Sequence, residues 1–289
     1  MESLYRIAKI SRQGFHQKQK KEHIRHQENT HLIERVEELR STHPRMGARP
    51  LYQIMQAHQT DQTLLLNTGR DKFEQILLDN NLAVKPIKVY HRTTYSGAFR
   101  YPNLVEGLEI CQLNRIWVSD LTYYRLLNGW AYLTFILDLY SRRCIGYAIS
   151  KVMQTELTTI PALNMALQAR AILDFKNQLI FHSDGGGQYY DKEFINIIQQ
   201  HQIRSSMAFH SYENPHMERF HSTAKNSYLI PWGVNSFSEL EKRLPEFVYL
   251  YNHVKPHQGL NGLCPVKFER IIQNIPLCQR TSVLFKKVI

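Results

Sequence analysis

At 289 residues the chain is long enough for about two domains of ordinary size, and its 43% hydrophobic content is ordinary for a protein that buries a core. Thirty-six Lys and Arg against 25 Asp and Glu give a formal charge of +11, which favours a polyanionic partner, most often nucleic acid. The four cysteines form no CxxC and no apolar run approaches ~18 residues, which argues against a zinc ribbon, a disulfide framework and a membrane span and fits a soluble protein of a reducing cytoplasm.

Residues 1 to about 28 are polar and basic, densest at "HQKQKKEHIRH", and form either a solvated face or an arm lying on phosphates. Leu32, Ile33, Val36 and Leu39 then recur at helical spacing, with Thr30 as the expected N-cap. "STHPRMGARP" breaks that helix. "PLYQIMQAH" predicts a second, with Pro50 in its first turn, and "DKFEQILLDNN" a third, capped by Asp71 and burying Phe73, Ile76 and Leu77. Three short helices and a glycine-containing turn match the size of a helix-turn-helix module. Arg45, Arg49, Arg70 and Lys72 lie at the turn and helix starts, where backbone and groove contacts are made. A three-helix bundle that binds nothing is the alternative. Residues 1–85 are thus expected to be a small all-α region, and 86–112 a linker whose basic residues and tyrosines suit backbone or single-strand contacts.

A new texture begins at Arg115. "RIWVSDLTYYRLL" and "WAYLTFILDLY" predict two strands around an Asn-Gly hairpin turn, and "CIGYAIS" a third. A helix follows from about Ile160, with Pro161 tolerable only in its first turn. "NQLIFHSD" predicts a fourth strand, "DKEFINIIQQH" a helix capped by Asp191, and "IRSSMAF" a fifth strand. The β-β-β-α-β-α-β-α order makes an α/β fold, a mixed five-stranded sheet flanked by helices, over residues 113–272, with 273–289 as a tail.

Three acids stand out in this region. Asp120 sits inside the first strand, where a lone carboxylate is unfavourable unless paired or ligating a metal. Asp184 ends the fourth strand and precedes Gly185, Gly186 and Gly187. No GxxxxGK pattern follows, so this is not a nucleotide P-loop; a tight turn explains the glycines, and a metal-binding carboxylate explains the acid as well. With Asn214 as N-cap and Pro215 as first helical residue, Glu218 falls on the opening turns of a helix. Met217, Phe220, Ala224 and Tyr228 form its apolar stripe, while Glu218, His221, Ser222 and Lys225 share an adjoining face. Asp138 also lies in the sheet, with Arg142 or Arg143 as its expected partner. His23, His26 and His31 have no CxxC to complete a zinc site.

Asp120, Asp184 and Glu218, with 33 residues between the last two, resemble the DDE triad of bacterial insertion-sequence transposases and retroviral integrases. The surrounding text agrees: "WVSDLTYY", "DLYSRRCIGYAIS", "FHSDGGGQY", "ERFHSTAK" and the closing "YNHVKPHQGLNGLCPVKFE". "ISRQGF" and "HPRMGARPLY" resemble the start of the transposase encoded by the second reading frame of such elements. Departures are Glu213-Asn214-Pro215 where Asp-Asn-Ala is frequent, Lys255 where arginine is usual, and Asn226-Ser227 after Lys225.

The resemblance implies an RNase H-like fold with Asp120, Asp184 and Glu218 as catalytic, metal-ligating residues. It implies two Mg²⁺ ions, with Mn²⁺ as a substitute, since carboxylates suit hard cations. The expected reaction is cleavage at the element's ends and strand transfer to target DNA, with Lys225 and Arg219 holding phosphates. His182, Gly186, Gln188 and Tyr189 would support the Asp184 strand end. Expected partners are double-stranded DNA, further copies of the chain and an upstream-frame protein or fusion, in the bacterial cytoplasm at the nucleoid. A catalytically silent DNA-binding relative and an RNase H-type nuclease without strand transfer are the alternatives.

Overall fold

The computed structural model describes residues 11–66, 68–85, 101–208 and 215–284. The chain divides into two compact units, Met1–Pro86 and Ile87–Ile289.

The first unit is helical. Helix α1 spans Arg12–Thr42, and its N-cap is Ser11, whose hydroxyl accepts from the Gly14 amide at 3.0 Å. The helix therefore begins well before Thr30, which sits inside it and donates its hydroxyl to the His26 carbonyl. Lys, Gln, Glu and Arg are good helix formers without being apolar, so the basic run continues the helix with no stripe to betray it. Helix α2 spans Ala48–Ala57 with Pro50 in its first turn, a short α3 spans Gln59–Leu65, and α4 spans Arg70–Asp79. Helix α3 was not expected from the sequence. The residue capping α4 is Gly69 rather than Asp71, whose carboxylate is drawn instead to its neighbour Arg70 at 2.8 Å. Leu32, Val36, Leu51, Met55, Phe73 and Leu77 are fully buried and make the core. Buried Asp61 accepts from Arg35 Nε at 2.8 Å, tying α3 to α1.

The second unit opens with a two-residue strand β1, Glu109–Ile110. An antiparallel meander follows: β2 (Ile116–Leu126), β3 (Gly129–Asp138) and β4 (Cys144–Ser150). Gly129 closes the first hairpin at φ +128°, a backbone that side chains resist. Helix α5 (Thr159–Arg170) carries Pro161 in its first turn and leads to β5 (Ile180–Ser183). Helix α6 (Lys192–Gln200) is capped by the Asp191 carboxylate, and β6 (Arg204–Met207) completes the sheet. Helix α7 (Pro215–Ser222) runs on as a π-helical stretch over Thr223–Leu229. Helix α8 (Phe237–His253) starts on a capping box of Ser236 and Glu239; α9 (Pro265–Gln273) and β7 (Val283–Leu284) end the unit. Strands β1 and β7 pair antiparallel, joining segments that the sequence assigned to linker and tail.

The main sheet has the order β4-β3-β2-β5-β6, with β3 antiparallel to its neighbours and β5 and β6 parallel to β2. This is the RNase H-like arrangement. Alternation along β2 and β3 sorts the core between two faces. Val118 and Phe135 pack with Phe220, Phe247 and Tyr251, whereas Trp117 and Ile136 pack with Leu163, Phe181 and Phe194. A Cβ on Gly146 would lie 2.1 Å from the Ala162 carbonyl, so glycine lets α5 sit directly on β4.

Candidate active site

The parallel register between β2 and β5 sets Val118 opposite His182. Two residues further along come Asp120, still within β2, and Asp184, the first residue after β5, so the two acids lie close together beyond the paired positions. The face that carries Val118 is covered by α7 and α8: Phe220 packs against Phe135, and Phe247 and Tyr251 pack against Phe220.

The Asp120 side chain is 24% exposed. Burial and the neighbouring Asp184 push its carboxyl well above the usual carboxylate range, and Glu218 adds to the effect while Lys225 opposes it. Burial also raises Asp184, against the pull of the Gly186 amide, which donates to Asp184 Oδ1 at 3.1 Å. His221 Nδ1 lies 3.6 Å from Asp120 Oδ2. Burial and Lys225 hold the His221 imidazole down to about 3, so it faces Asp120 as a neutral ring. Its Nε2 is buried without a hydrogen-bond partner.

Glu218 is exposed on the first turns of α7 and lines an open groove of ≈ 610 Å³ with Arg219, His221, Ser222 and Lys225. The shared face expected from the sequence therefore exists. Lys225 turns back from it: its Nζ donates to Thr122 Oγ1 at 2.6 Å and sits 5.5 Å from the Tyr123 ring centroid. Burial brings Lys225 down to about 8, with Asp120 acting in the other direction. Among the described residues no three His, Cys, Asp or Glu side chains gather closely enough to hold a metal ion, so Glu218 is not drawn onto the aspartate pair.

None of Gly185, Gly186 and Gly187 has a positive φ, so the expected sharp turn is not what demands them. A Cβ on Gly186 would come within 2.4 Å of the Gln188 amide, which folds back over it, whereas Gly187 faces open space. Tyr189 is buried, and its hydroxyl meets Ser119 Oγ at 2.9 Å, bracing β2 one residue before Asp120. His182 is also buried; its Nδ1 meets Ser206 Oγ at 2.9 Å, and that oxygen accepts from the Leu104 amide. Both side chains stand under the aspartates rather than in the groove.

The partner of Asp138 is neither Arg142 nor Arg143 but Arg170, at 3.0 Å. Arg143 and Arg170 both pair with Glu269, at 2.7 and 2.6 Å. Glu269 lies far along the chain on α9, beyond the reach of local pattern. Asn252 gives the closing sequence a physical role: its amide bonds both the amide and the carbonyl of Cys144, stitching α8 to the edge strand β4.

In the helical unit Arg45 donates to the Lys85 carbonyl at 2.5 Å, Arg70 pairs with Asp71, and Arg49 is exposed; Lys72 is half-buried on α4. His23, His26 and His31 are exposed on α1. Asn214, the expected cap of α7, and Glu213 lie outside the described residues, as do residues 86–100 of the expected linker and 285–289 of the expected tail.

The Integrase core domain family matches residues 112–209 and, in a second part, 199–265. An insertion element IS600 protein of 31 kDa from Shigella sonnei is 32% identical over 206 residues, covering 69% of this chain and 74% of that one. The chain belongs to the integrase-core transposases of bacterial insertion sequences. Transposase InsF for insertion sequence IS3A of Escherichia coli (strain K12) is 34% identical over 161 residues, 54% of each chain, so the similarity spans about half of that relative. Among solved structures, the HTLV-2 integrase catalytic core domain in complex with magnesium covers 54% of this chain at 19% identity, with a TM-score of 0.41. A simian T-cell lymphotropic virus intasome structure covers 77% at 16% identity, with a TM-score of 0.46. No helix among the described residues of this family member is long and apolar enough to cross a membrane.

Proposed function

We propose that the chain cleaves DNA at the ends of an insertion sequence and joins those ends to target DNA, with Asp120, Asp184 and Glu218 as its catalytic residues. The observation that carries this reading is the β2–β5 register, which brings Asp120 and Asp184 close together beneath the helix bearing Glu218. Two carboxylates whose protons are held on by burial, and in Asp120 also by Asp184, are poorly placed for a structural role, because neither forms an ion pair with an arginine among the described residues.

The donor set fits a hard divalent cation. Its acids offer carboxylate oxygens, and Lys225, the positive charge that acts on Asp120, is engaged with Thr122. Asp120 and Asp184 would hold Mg²⁺ or Mn²⁺ from the sheet, and Glu218 from α7 once its exposed side chain swings inward. Bound there, the metal supplies Lewis-acid stabilisation for charge developing at a phosphodiester. His221 orients the Asp120 carboxylate as a neutral neighbour. Arg219 and Lys225 hold DNA phosphates along the groove. The helical unit, residues 1–85, recognises the element's ends through Arg45, Arg49, Arg70 and Lys72, and residues 113–272 carry the chemistry. Two DNA ends must be held together, so the working form is an oligomer on DNA.

A strand-transfer assay on supercoiled DNA tests the reading. Asp120→Asn, Asp184→Asn and Glu218→Gln should each abolish cleavage and joining while leaving DNA binding within a few-fold. Wild-type joining in any one of them removes that residue from the site. Nicking without joining by the unmodified protein would make it a nuclease, and binding without nicking a silent relative.

A further inference from the structure

The tight turn between β3 and β4 sends two consecutive arginines in different directions. Arg143 reaches Glu269 at 2.7 Å and is neutralised there. Arg142 adopts a left-handed backbone, φ +61°, and its guanidinium instead donates to His216 Nδ1 in the first turn of α7. Arg219 stands one helical turn beyond His216, on the same side of α7. Phe220 beside it packs on the Tyr251 ring at 4.6 Å, and Tyr251 meets His257 at 4.5 Å, so the loop carrying Lys255 closes the same corner. Arg142, Arg219 and Lys255 thus converge, and none of the three forms an ion pair with a carboxylate among the described residues.

Two of the three are not simply solvated. Arg142 and Lys255 are only partly exposed. Burial and Arg219 bring the Lys255 ammonium down to about 8, and the same two causes lower the Arg142 guanidinium. Like charges are packed together here at a cost that the fold elsewhere avoids, since Arg143 and Arg170 are each supplied with acids.

We propose that Arg142, Arg219 and Lys255 form an anion site that takes a backbone phosphate of DNA at the start of α7, with Lys225 further along the same helical stretch. The reading rests on the transposase function above. It follows from geometry along α7: His216 and Arg219 flank Glu218 in sequence, so a phosphate held by this corner lies on a strand that passes the glutamate. Phosphate contacts at this corner and at Lys225 would fix the register of the DNA across the carboxylates, which is positioning rather than base recognition. The chain's net charge of +11 suits a nucleic-acid occupant over an isolated acidic side chain.

The test uses the full chain and a short labelled duplex, with affinity measured by anisotropy over a series of KCl concentrations. Lys255→Met removes one cation; Arg142→Asn removes another with a residue that tolerates the left-handed backbone. Each should weaken binding roughly three- to ten-fold, alike for unrelated sequences, and lower the log–log salt slope by about one unit. Lys255→Arg should restore the slope. Lys255→Met should also melt at a higher temperature than the unmodified protein in anion-poor buffer, because it relieves repulsion, and inorganic phosphate should stabilise it less. Higher stability with weaker DNA binding is a pairing that damage to the fold does not produce. Unchanged affinity and slope in both variants, with the unmodified protein still binding DNA, overturns this site alone. Failure of the unmodified protein to bind the duplex overturns the transposase reading itself. Unchanged DNA binding with lost self-association on sedimentation would assign the corner to an acidic group of a second copy, and also overturns the proposal.

Discussion

Lys225 Nζ donates to Thr122 Oγ1 at 2.6 Å, which seats the ammonium two residues along β2 from Asp120 instead of leaving it extended into the groove. It is the positive charge that opposes the rise in the Asp120 carboxyl. The lysine is therefore a counter-charge to Asp120, and under the proposed function it turns to a phosphate when metal and DNA bind.

Two opposite effects of Lys225→Ala follow. Without DNA, Mg²⁺ or Mn²⁺ affinity measured by calorimetry should rise, because a competing cation is gone. DNA binding should weaken for many sequences alike, with the log–log salt slope falling by about one unit. Lys225→Glu should bind DNA less well than the alanine variant. Equal DNA affinity and slope for the unmodified protein and the glutamate variant would sink the phosphate role; unchanged metal affinity in the alanine variant would sink the counter-charge role.

Asp120→Asn separates stability from chemistry in the same way. The Asp120 carboxyl is raised by burial and by Asp184, so the folded protein holds its proton to higher pH than the unfolded chain does. Stability from this group is present at low pH and is lost as pH rises through the folded value. The asparagine variant should thus be more stable in metal-free buffer near pH 7, by on the order of 1 kcal/mol, while being inactive. A lower melting temperature would mean that the carboxylate is satisfied by contacts other than those described.

What the sequence disclosed and what it hid divide along physical lines. The five strands, the Asp191 cap and the stripe of Met217, Phe220, Ala224 and Tyr228 are patterns of local burial, and local burial is written in apolar spacing. Strands β1 and β7 are two residues each, too short for any period. The π-helical stretch over Thr223–Leu229 was equally invisible, since a stripe spaced three, four and four fits α- and π-helix alike. The adjacency of Asp120 and Asp184 follows from pairing the two strands that carry them, while grouping those aspartates with Glu218 came from the family resemblance alone. The choice of Arg170 over Arg142 for Asp138 was not legible, because it depends on where α5 ends relative to β3.

Acid should destabilise the protein through histidines that are buried neutral. His257 is held down to about 3 by burial, with Lys255 and Arg142 nearby, and its Nε2 bonds the Tyr251 carbonyl. The unfolded chain takes up this proton first, so stability is complete above about pH 6.5 and declines toward about pH 3, by up to about 1.4 kcal/mol per pH unit for this one group. His257→Gln keeps a donor for the Tyr251 carbonyl but cannot titrate. It should lose some stability near pH 7 through lost ring packing, yet show a shallower decline with acid in urea melts. A slope equal to that of the unmodified protein would exclude His257 as a contributor.

Asp138 tests whether an acid in the sheet is structure or chemistry. Its carboxylate accepts from Arg170 at 3.0 Å, from the Asn114 amide at 2.8 Å and from the Tyr140 amide at 3.0 Å, and it is fully buried. Every group facing it is a donor, so Asp138→Asn places an N–H₂ against at least one of them and leaves Arg170 with Glu269 alone. Breaking one partner of a buried ion pair costs about 3–5 kcal/mol, and the loss should be near the lower end because Glu269 remains. Glu269→Gln should cost a comparable amount, since Arg143 and Arg170 both depend on it. Neither side chain faces the groove that Glu218 lines. At a temperature low enough to keep the variants folded, strand transfer per folded molecule should stay within a few-fold of the unmodified protein. A well-folded, fully stable and inactive Asp138→Asn would place Asp138 in the chemistry and displace one of the three acids assigned to it.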